Sequence, residues 1–498
     1  MARKLPIFYS AMLLTCVNLL LRFVGTSFQV YLSGRIGAEG IGLLQLVLSV
    51  GSMAMVAGMA GIRTATMYLT AEEAGRKRPE RILWVLSGCT KYSFVASTAV
   101  ALLVYICAPQ ICSLWIGHPE VVDSVRLFAA FLPANCLCGV MVGYFTGASR
   151  IGTLAVVEVA EQLCTMVCTV LLLTVWAGHD TARSCQAVVM GSGIGTILTL
   201  SSLVILRLME RAPASAKIPI AGRLKQTAIP LALADDLRTG ISTVENLMVP
   251  KRLALYEGVV SPLAAFGTVC GMVFPILTFP MAILFGLTEL LIPELARCNA
   301  AGSKERINYL VKQSLRIALL FGTACSCVLF LSAEALCMRL YGSTDAGTYL
   351  RWFAPLAVML YCDTVTDAMI KGLGEQKASV RYNICTNFMD VVLLYVLLPQ
   401  LGIAGYFISF TVTHVINFFL SLRRLLKITG VQIRISIPVR SILAGCLAVF
   451  LAGFAAAPIL KAIAGIAILL CLLYLSGVLH SSDGQWLLRL LKIKDRPG

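Results

Sequence analysis

Histidine and charge are both scarce in this chain. Only four of its 498 residues are histidine, and Asp, Glu, Lys and Arg together make up 13%. None of His118, His179, His414 and His480 has a nucleophile beside it in a recognisable catalytic arrangement. His414 lies inside an apolar run, where a hydrogen-bonded packing residue accounts for it better than a proton relay. The phosphate-cradling pattern GxxxxGK[ST] is missing, which excludes ATP hydrolysis by a P-loop. Cysteine is plentiful, at 18, but no CxxC pair occurs; the tightest spacings are Cys136-Leu137-Cys138 and Cys325-Ser326-Cys327. Most cysteines, such as Cys16, Cys164, Cys168, Cys385 and Cys471, sit in apolar runs and read as small packing residues. The residues offer no enzyme, no metal site and no resident cofactor.

What is present is apolar length. Hydrophobic residues make up 58% of the chain and the mean hydropathy is +0.85, more apolar surface than a soluble fold can cover. The runs are long, which selects helices over the short alternating strands of a membrane barrel. The first run is too long for a signal peptide and has no clean small-residue cleavage site after it. The chain is therefore expected to be an all-α polytopic membrane protein. Its net charge of +16 falls mostly in alternate loops, which points to topology and contact with anionic lipid rather than nucleic acid.

Fourteen spans are predicted, at about 6–33, 41–62, 87–114, 127–145, 153–176, 184–206, 229–249, 262–291, 317–336, 352–370, 383–398, 402–422, 441–457 and 462–479. With the N-terminus in the cytoplasm, 30 of the 41 Lys and Arg residues fall on the inside. Three more, Arg22, Lys91 and Arg238, fall within spans, leaving only eight outside: Arg35, Arg126, Arg183, Lys251, Arg252, Arg339, Arg351 and Lys461. That bias matches the positive-inside rule and puts both termini on the cytoplasmic side of the inner membrane. The domains expected are a six-helix lobe over 1–215, a second over 216–430, and two nearly pure apolar helices with a basic tail over 431–498.

The chain also repeats itself. Cys112-Ser113-Leu114-Trp115-Ile116-Gly117, followed by Arg126-Leu127-Phe128-Ala129, returns as Cys337-Met338-Arg339-Leu340-Tyr341-Gly342 and Arg351-Trp352-Phe353-Ala354, at an offset of 225 residues. Six spans per half makes the two halves parallel repeats, related by an axis along the membrane normal, with a site expected between them near the midplane.

Charge inside the spans supplies the candidate residues. A charge at mid-bilayer costs about 2.5–3.5 kcal/mol on insertion scales, so it normally faces a bundle interior or a watery cavity. Span one carries Arg22, with Asn18 and Gln29 about one and two turns away. Span seven, which opens the second half, carries Asp235, Asp236, Arg238, Glu245 and Asn246, and Arg63 stands near the end of span two. These nine are the expected cavity residues. Glu158 and Glu161 in span five, Asp363 and Asp367 in span ten, and Asp390 in span eleven are candidates for ion coupling by Na+ or H+, or for internal neutralisation. The acids would suit an organic cation; Arg22, Arg238 and Arg63 would suit a phosphate. Composition leaves both open.

Longer motifs carry a resemblance. Arg22-Phe23-Val24-Gly25, then Ser33-Gly34-Arg35-Ile36-Gly37-Ala38-Glu39-Gly40-Ile41-Gly42-Leu43-Leu44-Gln45, resembles the opening of the stage V sporulation protein B group of polysaccharide exporters. Further agreement lies in Gly143-Tyr144-Phe145-Thr146-Gly147, Glu161-Gln162, Phe274-Pro275, Phe279-Pro280, Ile292-Pro293-Glu294 and Gly372-Leu373-Gly374. That group belongs to the superfamily joining multidrug and toxin extruders, oligosaccharide-lipid flippases and lipid II flippases. The resemblance implies a V-shaped pair of lobes working by alternating access, and export of an undecaprenyl-linked sugar or peptidoglycan precursor during wall or spore synthesis. It implies that Arg22 lines the cavity, that a second arginine would stand where this chain has Gln29, and that the last two helices hold a lipid tail. A cation-coupled multidrug antiporter using Asp235, Asp236 or Asp363, and a non-transporting scaffold for wall-synthesis enzymes, are the alternatives.

Overall fold

In a bilayer every backbone N–H and C=O must be satisfied within the protein, so an apolar run closes its own hydrogen bonds as a helix. The computed structural model describes residues 7–76, 78–148, 150–178, 180–209, 221–432, 434–455 and 457–479, and every regular element among them is helical. Residues 210–220 of the mid-chain linker, the basic tail after 479, Lys77, His179 and the side chain of Asn18 lie outside the described set.

The first half comprises α1 (Ile7–Met59), α2 (Ile62–Gly75), α3 (Pro79–Gln110), α4 (Val122–Gly147), α5 (Ile151–Leu172) and α6 (Thr181–Leu208). The second begins with α7 (Ala221–Leu253), followed by α8 (Pro262–Thr268), α9 (Phe274–Thr278) and α10 (Met281–Ala300). Then come α11 (Lys304–Tyr341), α12 (Thr344–Phe353), α13 (Ala357–Gly372), α14 (Gln376–Leu401), α15 (Ile403–Thr429), α16 (Ser436–Ala452) and α17 (Pro458–Leu475). Length and apolarity alone select 10 spanning helices among the described residues, or 11 when the broken α8–α10 segment counts as one. Dividing α1 at Gly37, and adding the polar α7 and the shorter α16, gives the fourteen spans expected.

Three breaks differ from the simple span reading. Gly37 sits at φ 73°, ψ 176°, which turns the chain between spans one and two without a loop. Span two does not end at 62: it breaks at Ala60 (φ 43°) and Gly61 (φ 70°) and continues as α2 to Gly75. Span eight is interrupted before Pro280, whose ring displaces a helical N–H and crowds the preceding turn.

The contacts divide the chain into two compact units, Met1–Pro275 with Val380–Thr413, and Ile276–Ser379 with His414–Gly498. In the first, Ile62, Ala65, Leu69, Val85, Cys89, Val140, Tyr144, Phe145 and Leu203 form a core on α2, α3, α4 and α6. In the second, α16 and α17 pack on α11 through Cys327, Ala444, Ala448, Leu469 and Leu473.

The 225-residue repeat extends to local structure. Gly117 (φ 84°) and Gly342 (φ 63°) occupy matching left-handed positions, and Cys112 and Cys337 are both fully buried. A Cβ on Gly147 would meet the Met67 carbonyl oxygen at 2.5 Å; one on Gly372 would meet that of Ile292 at 2.9 Å, again 225 residues on. Arg126 lies 5.4 Å from the Tyr105 ring centroid and Arg351 4.9 Å from that of Phe330. Within the first unit a Cβ on Gly42 would strike the carbonyl oxygen of Leu263, and one on Gly267 that of Ala38. Both members of this reciprocal contact are related by the same offset, as expected where equivalent helices cross on a pseudo-two-fold axis.

Candidate functional site

Among the described residues of the first unit, a polar constellation within apolar helices is built on α7, α14 and α15. Asp390 of α14 is buried, at 6% exposure, and its side chain hydrogen-bonds that of Glu245 on α7. On α15, Ser409 Oγ donates to Asp390 Oδ1 at 2.5 Å and Thr413 Oγ1 lies 3.4 Å from the same oxygen. Tyr406, one turn before Ser409, places its hydroxyl 3.9 Å from Cys270 Sγ, and the tilted rings of Phe274 and Phe410 pack beside it with centroids 5.1 Å apart. Two carboxyls and two hydroxyls thus meet in a mainly apolar enclosure. That donor set is oxygen-only, which suits a hard monovalent cation or a proton. Among the described residues no group of three or more His, Cys, Asp or Glu is placed to hold a metal ion.

Helix α7 is held in register by its neighbours on the Glu245 turn. Thr243 Oγ1 donates to the Ser49 carbonyl at 3.2 Å, and Asn246 Nδ2 to Ser49 Oγ at 3.0 Å, tying α7 to α1. Gln29, two turns beyond Arg22, donates from Nε2 to the Gly271 carbonyl at 3.1 Å. That carbonyl belongs to the π-helical turn Val269–Val273, where a wider helix leaves backbone groups for side chains to satisfy. Gln29 and Asn246 therefore have structural partners in this state. Asp235 and Arg238 are exposed on α7, and Asp236 is half-buried with Oδ1 lacking a hydrogen bond among the described residues. Arg22 is half-buried on α1.

A second group lies among α2, α5 and α6. Glu161 accepts a hydrogen bond from Thr199, and Glu158 lies within the field of Arg63, which is exposed on the first turn of α2 just past the Ala60–Gly61 break. In the second unit, Asp363 and Asp367 share a face of α13 but have different partners. Asn417 Nδ2 donates to Asp363 at 3.0 Å, while Asp367 pairs with Lys371 at 2.6 Å and accepts from Ser379. Asp367 is thus neutralised within its own helix.

The spacing of charges did not point to Tyr406, Ser409, Thr413 or Cys270. A signal existed: Tyr406, Ser409, Thr413 and Asn417 recur at intervals of three and four, a polar stripe along one face of an otherwise apolar helix.

The MatE family matches residues 15–171 and 255–396. Stage V sporulation protein B of Bacillus subtilis (strain 168) is 22% identical over 437 residues, covering 85% of this chain and 84% of that protein. Sporulation protein YkvU of the same strain is 23% identical over 386 residues, covering 75% and 85%. Among solved structures, the lipid II flippase MurJ in an inward closed conformation aligns over 93% of this chain and 98% of its own, with TM-score 0.69 and 13% identity. An inward-facing multidrug resistance MATE family transporter of the MOP superfamily aligns over 84% and 100%, with TM-score 0.66 and 15% identity.

Proposed function

The chain belongs to the MatE family, and on that premise we propose that it is a flippase for a lipid-linked saccharide. It is a multi-pass membrane transporter of the MOP superfamily, not an enzyme. The cargo in this reading is an undecaprenyl-linked oligosaccharide or a lipid II-like peptidoglycan precursor, moved by alternating access from a cytoplasmic side that holds both termini.

The observation that carries the reading is the pair α16–α17. The two helices lie beyond the residues matched by the family, pack on α11, and expose Phe450, Leu451, Ile463, Leu470 and Tyr474. An apolar face of that extent suits a prenyl tail, and the fold likeness to the flippase spans more of the chain than that to the multidrug transporter. This reading assigns Arg22, Arg63 and Arg238 to the pyrophosphate, since a guanidinium meets phosphate oxygens bidentately. The Glu245–Asp390 pocket serves as coupling site. Empty of cation and proton, the two carboxylates repel each other; for like unit charges the cost is on the order of 4 kcal/mol at an effective dielectric of about 20 and a separation of about 4 Å. Filling and emptying that pocket can therefore bias α7 against α14 and α15.

The test is dithionite bleaching of fluorescent lipid II in proteoliposomes, where only the outer leaflet is accessible. Bleaching should run past the outer-leaflet fraction with the native chain and stop there with Arg22→Ala. A second reading, cation-coupled multidrug antiport, draws on the same oxygen-lined pocket. Dye efflux driven by a sodium or proton gradient, without lipid II movement, would replace the first reading with it. A scaffold for wall-synthesis enzymes would complement a flippase-depleted strain equally well with Arg22→Ala.

A further inference from the structure

In the second unit, at the end of α11 remote from Lys304, a concavity of about 420 Å³ opens between α11 and α12. It is lined by Phe330, Glu334, Thr348, Arg351, Trp352 and Pro355. Ligand pockets commonly measure about 300–1,000 Å³. Arg351 organises this one: its guanidinium lies 4.9 Å from the Phe330 ring centroid, and Nη1 donates to Glu334 Oε1 at 2.9 Å. Trp352 is 40% exposed, and its ring is braced by Tyr349 at a centroid distance of 5.9 Å.

The internal repeat separates what the fold needs from what has been added. The first half keeps the arginine-over-aromatic contact, Arg126 on Tyr105 at 5.4 Å. The positions 225 residues before Glu334, Thr348, Trp352 and Pro355 hold Pro109, Asp123, Leu127 and Ala130. The cation–π contact is common to both halves and serves the packing of these helices. At the positions of Glu334 and Trp352 the first half holds Pro109 and Leu127, and its acid stands instead at Asp123, the position of Thr348. The Arg351–Glu334 pair beside Trp352 is thus an arrangement of the second half that a packing role shared by both copies does not explain.

We propose that this pocket binds a pyranose ring of an uncharged saccharide. The Arg351–Glu334 pair is electrically balanced, so an entering anion meets the carboxylate and an entering cation meets the guanidinium; neither gains. A neutral polyol gains from both, because adjacent hydroxyls can accept from the guanidinium while donating to the carboxylate. The apolar C–H face of the ring lies on the indole of Trp352, a side chain suited to sites with one wet and one apolar side. The 17 residues 317–333 carry no charge and rise about 25 Å at 1.5 Å per residue, close to the thickness of a hydrocarbon core. Glu334 follows directly, so the pocket stands at a membrane–water boundary. Both a soluble glycan and the sugar of a lipid-linked glycan can reach it there. Binding of free sugar at this site does not rest on the export reading.

The experiment uses the full-length chain purified in detergent, with chitotriose as the probe and tryptophan fluorescence as the readout. A saturable change is expected for the native protein and none for Trp352→Phe. Glu334→Gln should weaken the apparent affinity by about tenfold, the loss expected for a hydrogen bond to a charged group. Thermal melting of each variant by circular dichroism shows that its fold is retained. A native protein without a saturable response, or an unchanged titration in Trp352→Phe, overturns the proposal. So does displacement of chitotriose by water-soluble dihexanoyl-phosphatidylglycerol, which would make the pocket a phospholipid headgroup site. Competition by lipid II would identify the lipid-linked source, and its absence the soluble one; both keep the saccharide. Loss of lipid II movement with intact chitotriose binding counts against the export reading alone.

Discussion

Two carboxyl groups in hydrogen-bond contact inside apolar surroundings can be relieved by a proton between them or by a cation in its place. Glu245 and Asp390 stand in that position, and Ser409 and Thr413 supply further oxygens to the same point. If sodium is the ion, the native protein should melt at a higher temperature in sodium than in a bulky organic cation. The increment is that of a ligand binding only the folded state, about 2.7 kcal/mol at a hundred times its dissociation constant. Glu245→Gln and Asp390→Asn should each abolish the sodium increment and the ion dependence of transport while leaving the melting temperature in organic cation equal or higher, because each removes one of two like charges. A sodium-independent native melt together with transport that follows pH would assign the pocket to protons. Both acids were visible in the sequence as intramembrane charges, but in different groups. They are 145 residues apart. Periodicity shows which face of its own helix a residue occupies and carries no information on which other helix covers that face.

At the scale of helices, the glycines determine how closely backbones approach. Gly139, Gly143 and Gly147 form a seam of small residues on α4 against the end of α1 and the start of α2, where Cβ atoms would press on Met59, Arg63 and Met67. Gly147→Ala should destabilise the protein by about 1–3 kcal/mol, the usual cost of overpacking. Gly372→Ala should cost less, since its nearest obstruction is 2.9 Å away rather than 2.5 Å; paired thermal melts check the order. The reciprocal contact of Gly42 and Gly267 joins the second segment of α1 to α8. Substituting either by valine should force the crossing apart, and the double variant should add little to either single one, because each disrupts the same seam. Engineered cysteines at Ala38 and Leu263, in a background without native cysteine, should cross-link in the parent and lose that cross-link in both variants. The interruption of span eight was legible as Phe279-Pro280. The continuation of span two beyond 62 was not, because Ala60 adopts positive φ and alanine carries no sequence mark of that strain.

Across the whole molecule, the alternation of basic loops predicts an orientation that reporter fusions can test. Alkaline phosphatase, active only outside the cytoplasm, should be active when joined at Ser343 and silent when joined at Gly302. Equal activity at both positions would remove the proposed sidedness. The span count and the 225-residue repeat were contained in composition and order alone: apolar length dictates helices in lipid, and a duplicated chain repeats its local structure at matching positions. The sequence by itself thereby determined the class of protein, the number of its spans and the internal symmetry of its turns. Only the tertiary structure decided which polar groups meet. It paired Glu245 with Asp390, gave Gln29 and Asn246 structural partners, and neutralised Asp367 with Lys371. The physical reason is that a helix in lipid forms from its own local hydrogen bonds, whereas a buried charge is tolerated only through partners supplied by other helices far along the chain.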